Sequence, residues 1–242
     1  MDKLRYLNHG WWLFDDLIMI IRKYGIALRE IQQEDLELIR QHRNSDAIQS
    51  KMIFRETISR EQQIEWFKKV RSTLQDAYYL IYKNDVAMGL INGMNIDHDA
   101  RTSEGGIFLW HPEANYSISI LASIILNDWN FFFNDFKYNY AQVLKSNKQA
   151  ISYNQFMGYK ISKREHENPE VLWMEQSKTD YEQFRKKVQA LNLVNFDISK
   201  PLTKSDLSLE ESEVEYKKQI IQKLPEKQQK MYEDLLKEAG KL

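Results

Sequence analysis

Apolar and polar residues alternate over 24–31, YGIALREI. Ile26, Leu28 and Glu30 fall on one face and Ala27, Arg29 and Ile31 on the other, so the pattern predicts a strand. In QQEDLELIRQHRNSD the period changes. Leu36, Ile39 and Arg40 recur at helical spacing and stop at a polar turn, Asn44 to Asp46. The run TISREQQIEWFKKVRSTL is the best-marked helix: Ser59 and Gln62 form a capping box that satisfies two orphan amides, and Ile64, Phe67, Val70 and Leu74 make an apolar stripe. Three strand-like runs follow at 77–83, 87–96 and 104–110, and their short polar loops predict an antiparallel meander. Residues 117–133, SISILASIILNDWNFFF, are apolar almost all round, as in a helix buried against a sheet. A strand at 138–145, a helix stopped by Gly158, and the strands YKISKRE and VLWMEQS complete the order. The fold class is therefore α/β (α+β), a mixed and mostly antiparallel sheet with helices on both faces.

Both ends depart from this pattern. Beyond Ser177, Thr179 and Glu182 predict a capped helix to about Leu191, NFDISKPLTKSD reads as a linker, and a charged, helix-prone tail is interrupted at Pro225. Val214, Ile220, Ile221, Leu224, Met231 and Leu235 make a stripe along that tail, able to dock on the core, on a second copy as a homodimer, or on a protein partner. The expected organisation is an N-terminal extension over 1–18, a main domain over 19–177 and a helical C-terminal extension over 178–242. Met19 reads as a natural start, so 1–18 is either an add-on or an upstream translation start. The apolar run WWLFDDLIMII is split by Asp15 and Asp16, and it falls short of the ~20 residues a spanning helix needs. It also lacks the pattern of a signal peptide.

Charge and composition narrow the chemistry. With 34 Lys and Arg against 35 Asp and Glu, no basic excess marks a nucleic-acid partner. The absence of cysteine excludes disulfides, thiolate metal ligands and a cysteine nucleophile, which makes the cytoplasm the simplest expectation. The five histidines are scattered without metal-ligand spacing, so no metal is expected.

Three stretches carry a resemblance. RNSDAIQSKMIFRETISREQQIEWFKKV, SEGGIFLWHPE and NKQAISYNQFMGY, in this order and spacing, resemble the GNAT superfamily of N-acetyltransferases, nearest in look to the amino-sugar nucleotide and ribosomal-protein branch. The resemblance spans about 19–177 and implies acetyl-CoA as cosubstrate and a small-molecule amine or peptide as acceptor. Such a reaction needs a pyrophosphate cradle, a route for the amine proton and a group to meet the departing thiolate.

The resemblance also assigns residues. The cradle corresponds to HPEANYSISI, which contains no glycine, and one registration puts Ser117 and Ser119, the other Ile118 and Ile120, where the family has glycines. Leu109, Trp110, Asn115, Tyr116, Ser117, Ile118, Ser119, Asn147 and Asn154 are the implied cofactor contacts. Glu104 stands at the family's acidic position as candidate base, and His111 is a second. The family's thiolate-facing tyrosine falls at 154, which is asparagine here. Tyr153 stands one residue early, about 100° round a helix axis, either packed beside Phe156 and Met157 or turned toward the sulfur. The acceptor side is expected from Arg43, Asn44, Met52, Phe54 and Asn92. An amino-sugar nucleotide is the preferred acceptor, with a peptide or ribosomal-protein amine as the alternative. A non-catalytic interaction module that uses its helical tail is the reading from another class, prompted by the glycine-free loop and Asn154.

Overall fold

Neighbouring residues of the central strands go to opposite layers. Leu80 and Leu90 pack with Ile39, Trp66 and Phe67 on one side, whereas Ile81 and Ile91 pack with Ile120, Ile124 and Ile125 on the other. That period of two sandwiches a sheet between helices. The computed structural model describes residues 18–210 and 221–238. Its order is β1 (Ile18–Lys23), β2 (Ile26–Glu30), α1 (Leu36–Arg43), α2 (Asp46–Gln49), α3 (Arg60–Arg71), β3 (Ala77–Lys83), β4 (Val86–Asp97), β5 (Thr102–Leu109), α4 (Tyr116–Asp128), β6 (Tyr138–Leu144), α5 (Lys148–Phe156), β7 (Lys160–Ile161), β8 (Val171–Ser177), α6 (Lys178–Ala190), β9 (Leu207–Glu210) and α7 (Glu226–Glu238).

The nine strands run β7-β8-β6-β5-β4-β3-β2-β1-β9 across one sheet. Every pair is antiparallel except β5 with β6. Helices α1 and α3 cover one face of the β2–β5 half. Helices α4, α5, α6 and α7 contribute to the larger core on the other.

Most local signals appear where the pattern puts them. The Ser59–Gln62 box caps α3, with the Ser59 side chain accepting from the Gln62 amide. α4 is followed by one π-helical turn, Trp129–Phe133, so the apolar run is not one regular helix.

Three elements differ from expectation. The single first strand is a hairpin, because Tyr24 and Gly25 both take left-handed backbone (φ 54° and 72°) and make the two-residue turn whose twist suits a strand pair. The α6 cap is Ser177 with Asp180, not Thr179 with Glu182: β8 runs directly into the helix, and its last residue supplies the cap. Leu207–Glu210 is an edge strand on β1, whereas the charged sequence reads there as linker and helix.

Residues 178–210 therefore complete the sheet and its buried face. Ile221 and Leu224 cluster with Leu236, and Met231 and Leu235 join the main core, so the described part of the tail stripe packs back on the domain. Val214, Ile220 and the Asp15–Asp16 stretch lie outside the described residues. No helix among the described residues is long and apolar enough to cross a membrane.

Candidate active site

The one parallel strand pair opens into a fork. β5 and β6 are in register only from Thr102 with Tyr138 to Glu104 with Tyr140, and then part. A buried amide network sits at the closed end. Asn130 donates to Ser103 Oγ (3.1 Å) and Asn139 Oδ1 (3.2 Å), Asn139 donates to Asn127 Oδ1 (2.9 Å), and Asn127 donates to Gln176 Oε1 (3.3 Å). These satisfied groups tie α4 to β5, β6 and β8, and so fix where the fork begins.

Backbone direction decides what lines the opening. The Trp110 N–H reaches Met88 O (3.0 Å), so even-numbered residues of β5 turn their backbone groups to β4 and odd-numbered ones turn theirs to the fork. Past Glu104, Ile107 and Leu109 thus present an edge that is unpaired among the described residues. The side chains alternate as well: Glu104 and Phe108 point to the α1–α3 face, and Ile107 and Leu109 to the α4 face.

The start of α4 closes the far end. Asn115 is the N-cap, its Oδ1 accepting from the Ile118 amide (3.2 Å), which leaves the Tyr116 and Ser117 N–H groups without a partner among the described residues. Ile118 and Ile120 are buried in the core and Ser117 is exposed, so the isoleucines do not crowd the helix end. Ser119 Oγ is turned back to the Tyr116 carbonyl (2.8 Å). Two free amides at a helix N-terminus suit a diphosphate, and the unpaired β5 edge suits the amide-bearing arm of coenzyme A. The glycine-free loop is therefore compatible with acetyl-CoA.

The candidate acid–base residues are not brought together. Glu104 lies at the fork, where its Oε2 accepts from Gln142 Nε2 (2.7 Å). His111 is seven residues along, roughly 23 Å away in an extended strand, and its Nδ1 accepts from the Glu113 amide (3.2 Å). It lies between the end of β5 and the start of α4. Tyr153 is half-buried at the α4–α5 contact: its hydroxyl donates to Ser119 O (2.9 Å) and meets Ser123 Oγ (2.8 Å), and its ring stands edge-on to Tyr116. The packing alternative describes it. Asn154 donates to Ala150 O (3.0 Å) one turn back, and Asn147 caps α5 by accepting from the Ala150 amide (3.0 Å).

A hydroxyl at the fork comes instead from Tyr159, which sequence reasoning passed over as the residue opening a strand. Its ring is buried, and its oxygen lies 3.9 Å from where a Cβ on Gly105 would stand. It makes no hydrogen bond among the described residues. Burial pushes its pKa well above the ordinary tyrosine value, so the group stays protonated. Glu104 and Tyr159 thus flank the fork from opposite faces of the sheet.

On the Glu104 side, Asn92 is buried, its Nδ2 has no partner among the described residues, and a Cβ on Gly106 would come within 2.8 Å of its Oδ1. Glycine at 106 makes room for that amide. Asn44 serves the fold, exchanging hydrogen bonds with Ile58 N (2.9 Å) and Ile58 O (2.8 Å) and so pinning the loop that carries Met52 and Phe54. Arg43 donates to Phe54 O, and Phe54 is 52% exposed. Trp110 stacks on His42 at 4.7 Å and donates to Ala87 O, so its side chain belongs to the α1–α3 face rather than to the helix end. Farther along that face the exposed Arg164 lies 3.7 Å over the Tyr140 ring and 5.9 Å from Trp173. A separate cavity of about 130 Å³, bounded by Glu30, Arg71, His98 and Tyr232, lies apart from the fork. No group of metal-ligating side chains occurs among the described residues.

The family model described as acetyltransferase (GNAT) domain matches residues 28–171, more than half of the chain. The chain belongs to this acetyltransferase family. Among solved structures it is similar to the spermidine N-acetyltransferase of Vibrio cholerae in complex with CoA and spermine, at 17% identity over 66% of this chain and 99% of that one, with a TM-score of 0.58. It is also similar to apo FdhC, a nucleotide-linked sugar GNAT, at 16% identity over 76% of this chain and 99% of that one, TM-score 0.59. A domain from Methanocaldococcus jannaschii matches at 21% identity over 63% and 97%, TM-score 0.52. No curated protein matches by sequence.

Proposed function

We propose that this chain moves the acetyl group of acetyl-CoA to the primary amine of an amino-sugar nucleotide. One observation carries the reading: a carboxylate and a free hydroxyl meet a single strand fork from opposite faces, with an unpaired backbone edge between them. The thioester supplies an activated acetyl carbon, and the protein supplies the rest. The amides of Tyr116 and Ser117 hold the diphosphate, and the β5 edge at Ile107 and Leu109 pairs with the arm. Glu104, with one oxygen already bonded to Gln142, takes the amine proton on its other oxygen as the C–N bond forms. Tyr159 donates its O–H to the sulfur as the C–S bond breaks and sulfur keeps the electron pair. Its raised pKa makes it a hydrogen-bond donor and not a proton source.

The shelf beside Glu104 supports the acceptor class. Arg164 makes no ion pair among the described residues, and it lies across Tyr140 next to Trp173, a cation for a diphosphate with aromatic faces for a base.

The test is a thermal-shift titration with acetyl-CoA followed by CoA-release assays against amino-sugar nucleotides, peptides and polyamines. At a hundred times its dissociation constant a ligand stabilises by about 2.7 kcal/mol. A shift plus release with nucleotide sugars is expected. Turnover with peptides or polyamines alone overturns the acceptor, and no shift with no release overturns the whole reading.

A further inference from the structure

Glu104 is one end of a hydrogen-bonded line that crosses three elements. Its Oε2 accepts from Gln142 Nε2 on β6 (2.7 Å), and Gln142 Oε1 meets His166 Nε2 in the β7–β8 loop (2.9 Å). The other ring nitrogen, Nδ1, lies 2.9 Å from the Asn168 N–H and 3.2 Å from the Asn168 carbonyl. The nearer partner is a donor, so Nδ1 accepts and the ring proton resides on Nε2. That proton can only be received by an oxygen. The Gln142 amide must then turn its oxygen to His166 and its NH2 to Glu104, since the flipped amide would set a carbonyl against a carboxylate and an N–H against an N–H.

Trp173 holds the imidazole in place, its ring 5.9 Å from that of His166, and Gln142 is in direct register with Trp173 across the β6–β8 ladder. Gln142 and His166 follow one another in line from the carboxylate. Both lie behind the carboxylate.

We propose that Gln142 and His166 are positioning residues for Glu104: the imidazole sets the sense of the amide, and the amide pins one carboxylate oxygen so that the other faces the incoming amine. The inference rests on the reading of Glu104 as proton acceptor. In the mechanism nothing new is transferred, because the amide keeps both of its protons. Its contribution is the fixed direction of the free lone pair, and displacement of a reacting group by about 1 Å can cost on the order of a hundredfold in rate.

The experiment uses the full chain and the acceptor found to turn over. Gln142→Leu is expected to lower kcat roughly ten- to a hundredfold with the KM for acetyl-CoA and its thermal shift unchanged. His166→Phe, which keeps a ring against Trp173, should lower kcat in the same sense, and His166→Gln, which can again donate to Gln142, should restore it. Gln142→Glu has the same shape but sets a second carboxylate against Glu104, so the acid limb of its kcat/KM profile should move to higher pH. That substitution keeps the test open if Gln142→Leu fails to fold. Wild-type kcat in both Gln142→Leu and His166→Phe, or an unmoved acid limb in Gln142→Glu, overturns the inference while a dead Glu104→Gln leaves the base intact. Full activity in Glu104→Gln removes the base itself and this proposal with it.

Discussion

Replacing Asp128 by alanine tests whether the segment after β8 is part of the domain. Asp128 is fully buried, and three donors converge on it: Tyr181 OH (2.5 Å) and Arg185 Nη1 (2.6 Å) on one oxygen, and the Leu202 amide (2.8 Å) on the other. Arg185 has only 8% of its side chain exposed, and its remaining fork donates to the Ile198 carbonyl. Truncation leaves that guanidinium buried without an anion, which costs about 3–5 kcal/mol. It also orphans the Leu202 N–H, worth about 1–3 kcal/mol in isolation, but the two overlap in one network and do not add. A loss of about 4 kcal/mol is the expectation, a large part of the roughly 5–15 kcal/mol that holds a domain together. At this chain length that corresponds to a fall in Tm of roughly 8–16 °C. The assay is urea unfolding with the slope monitored, and hydrogen exchange should show the first loosening in α6 and at 198–202. Asp128→Leu combined with Arg185→Met, which removes both charges, should recover much of the loss. A cost below about 1 kcal/mol for Asp128→Ala would refute the reasoning, because a buried cation cannot lose its partner so cheaply.

Two paired tyrosine substitutions separate packing from chemistry: Tyr153→Phe should cost about 1 kcal/mol of stability with kcat intact. Tyr159→Phe, which breaks no hydrogen bond in the described structure, should keep its Tm and lose roughly a hundredfold in kcat; the reverse pattern would exchange their roles. On α1, hydrogen bonds from Arg40 and Gln41 bring the Glu37 carboxyl from 4.5 down to about 2. Because the folded value lies below the unfolded one, this contribution is complete above pH 4.5 and is lost as pH falls toward 2. Glu37→Gln should flatten the Tm–pH curve across that window, and a curve parallel to wild type would count against the assignment.

What the chain determined by itself is what short-range spacing can encode. The stripe and cap of α3, the apolar run of α4 and the strand alternation of β3 and β4 are set by residues within a turn or two of one another. Where a segment is short, that information fails: Leu207–Glu210 holds only four residues, and pairing with β1, distant in sequence, makes it a strand. The candidate site is further still from local control. Glu104, Gln142, Tyr159 and His166 come from separate elements, and only the divergence of β5 from β6 assembles them. The two tyrosines show why. Tyr153 sits on a helix whose turn carries its hydroxyl into the α4 contact, where the Ser119 carbonyl takes it, while Tyr159 follows the left-handed Gly158 and its hydroxyl arrives unpaired beside Gly105. Sequence assigns a tyrosine its reach, but which hydroxyl is left without a partner depends on how helices and strands pack, and that belongs to the tertiary structure alone.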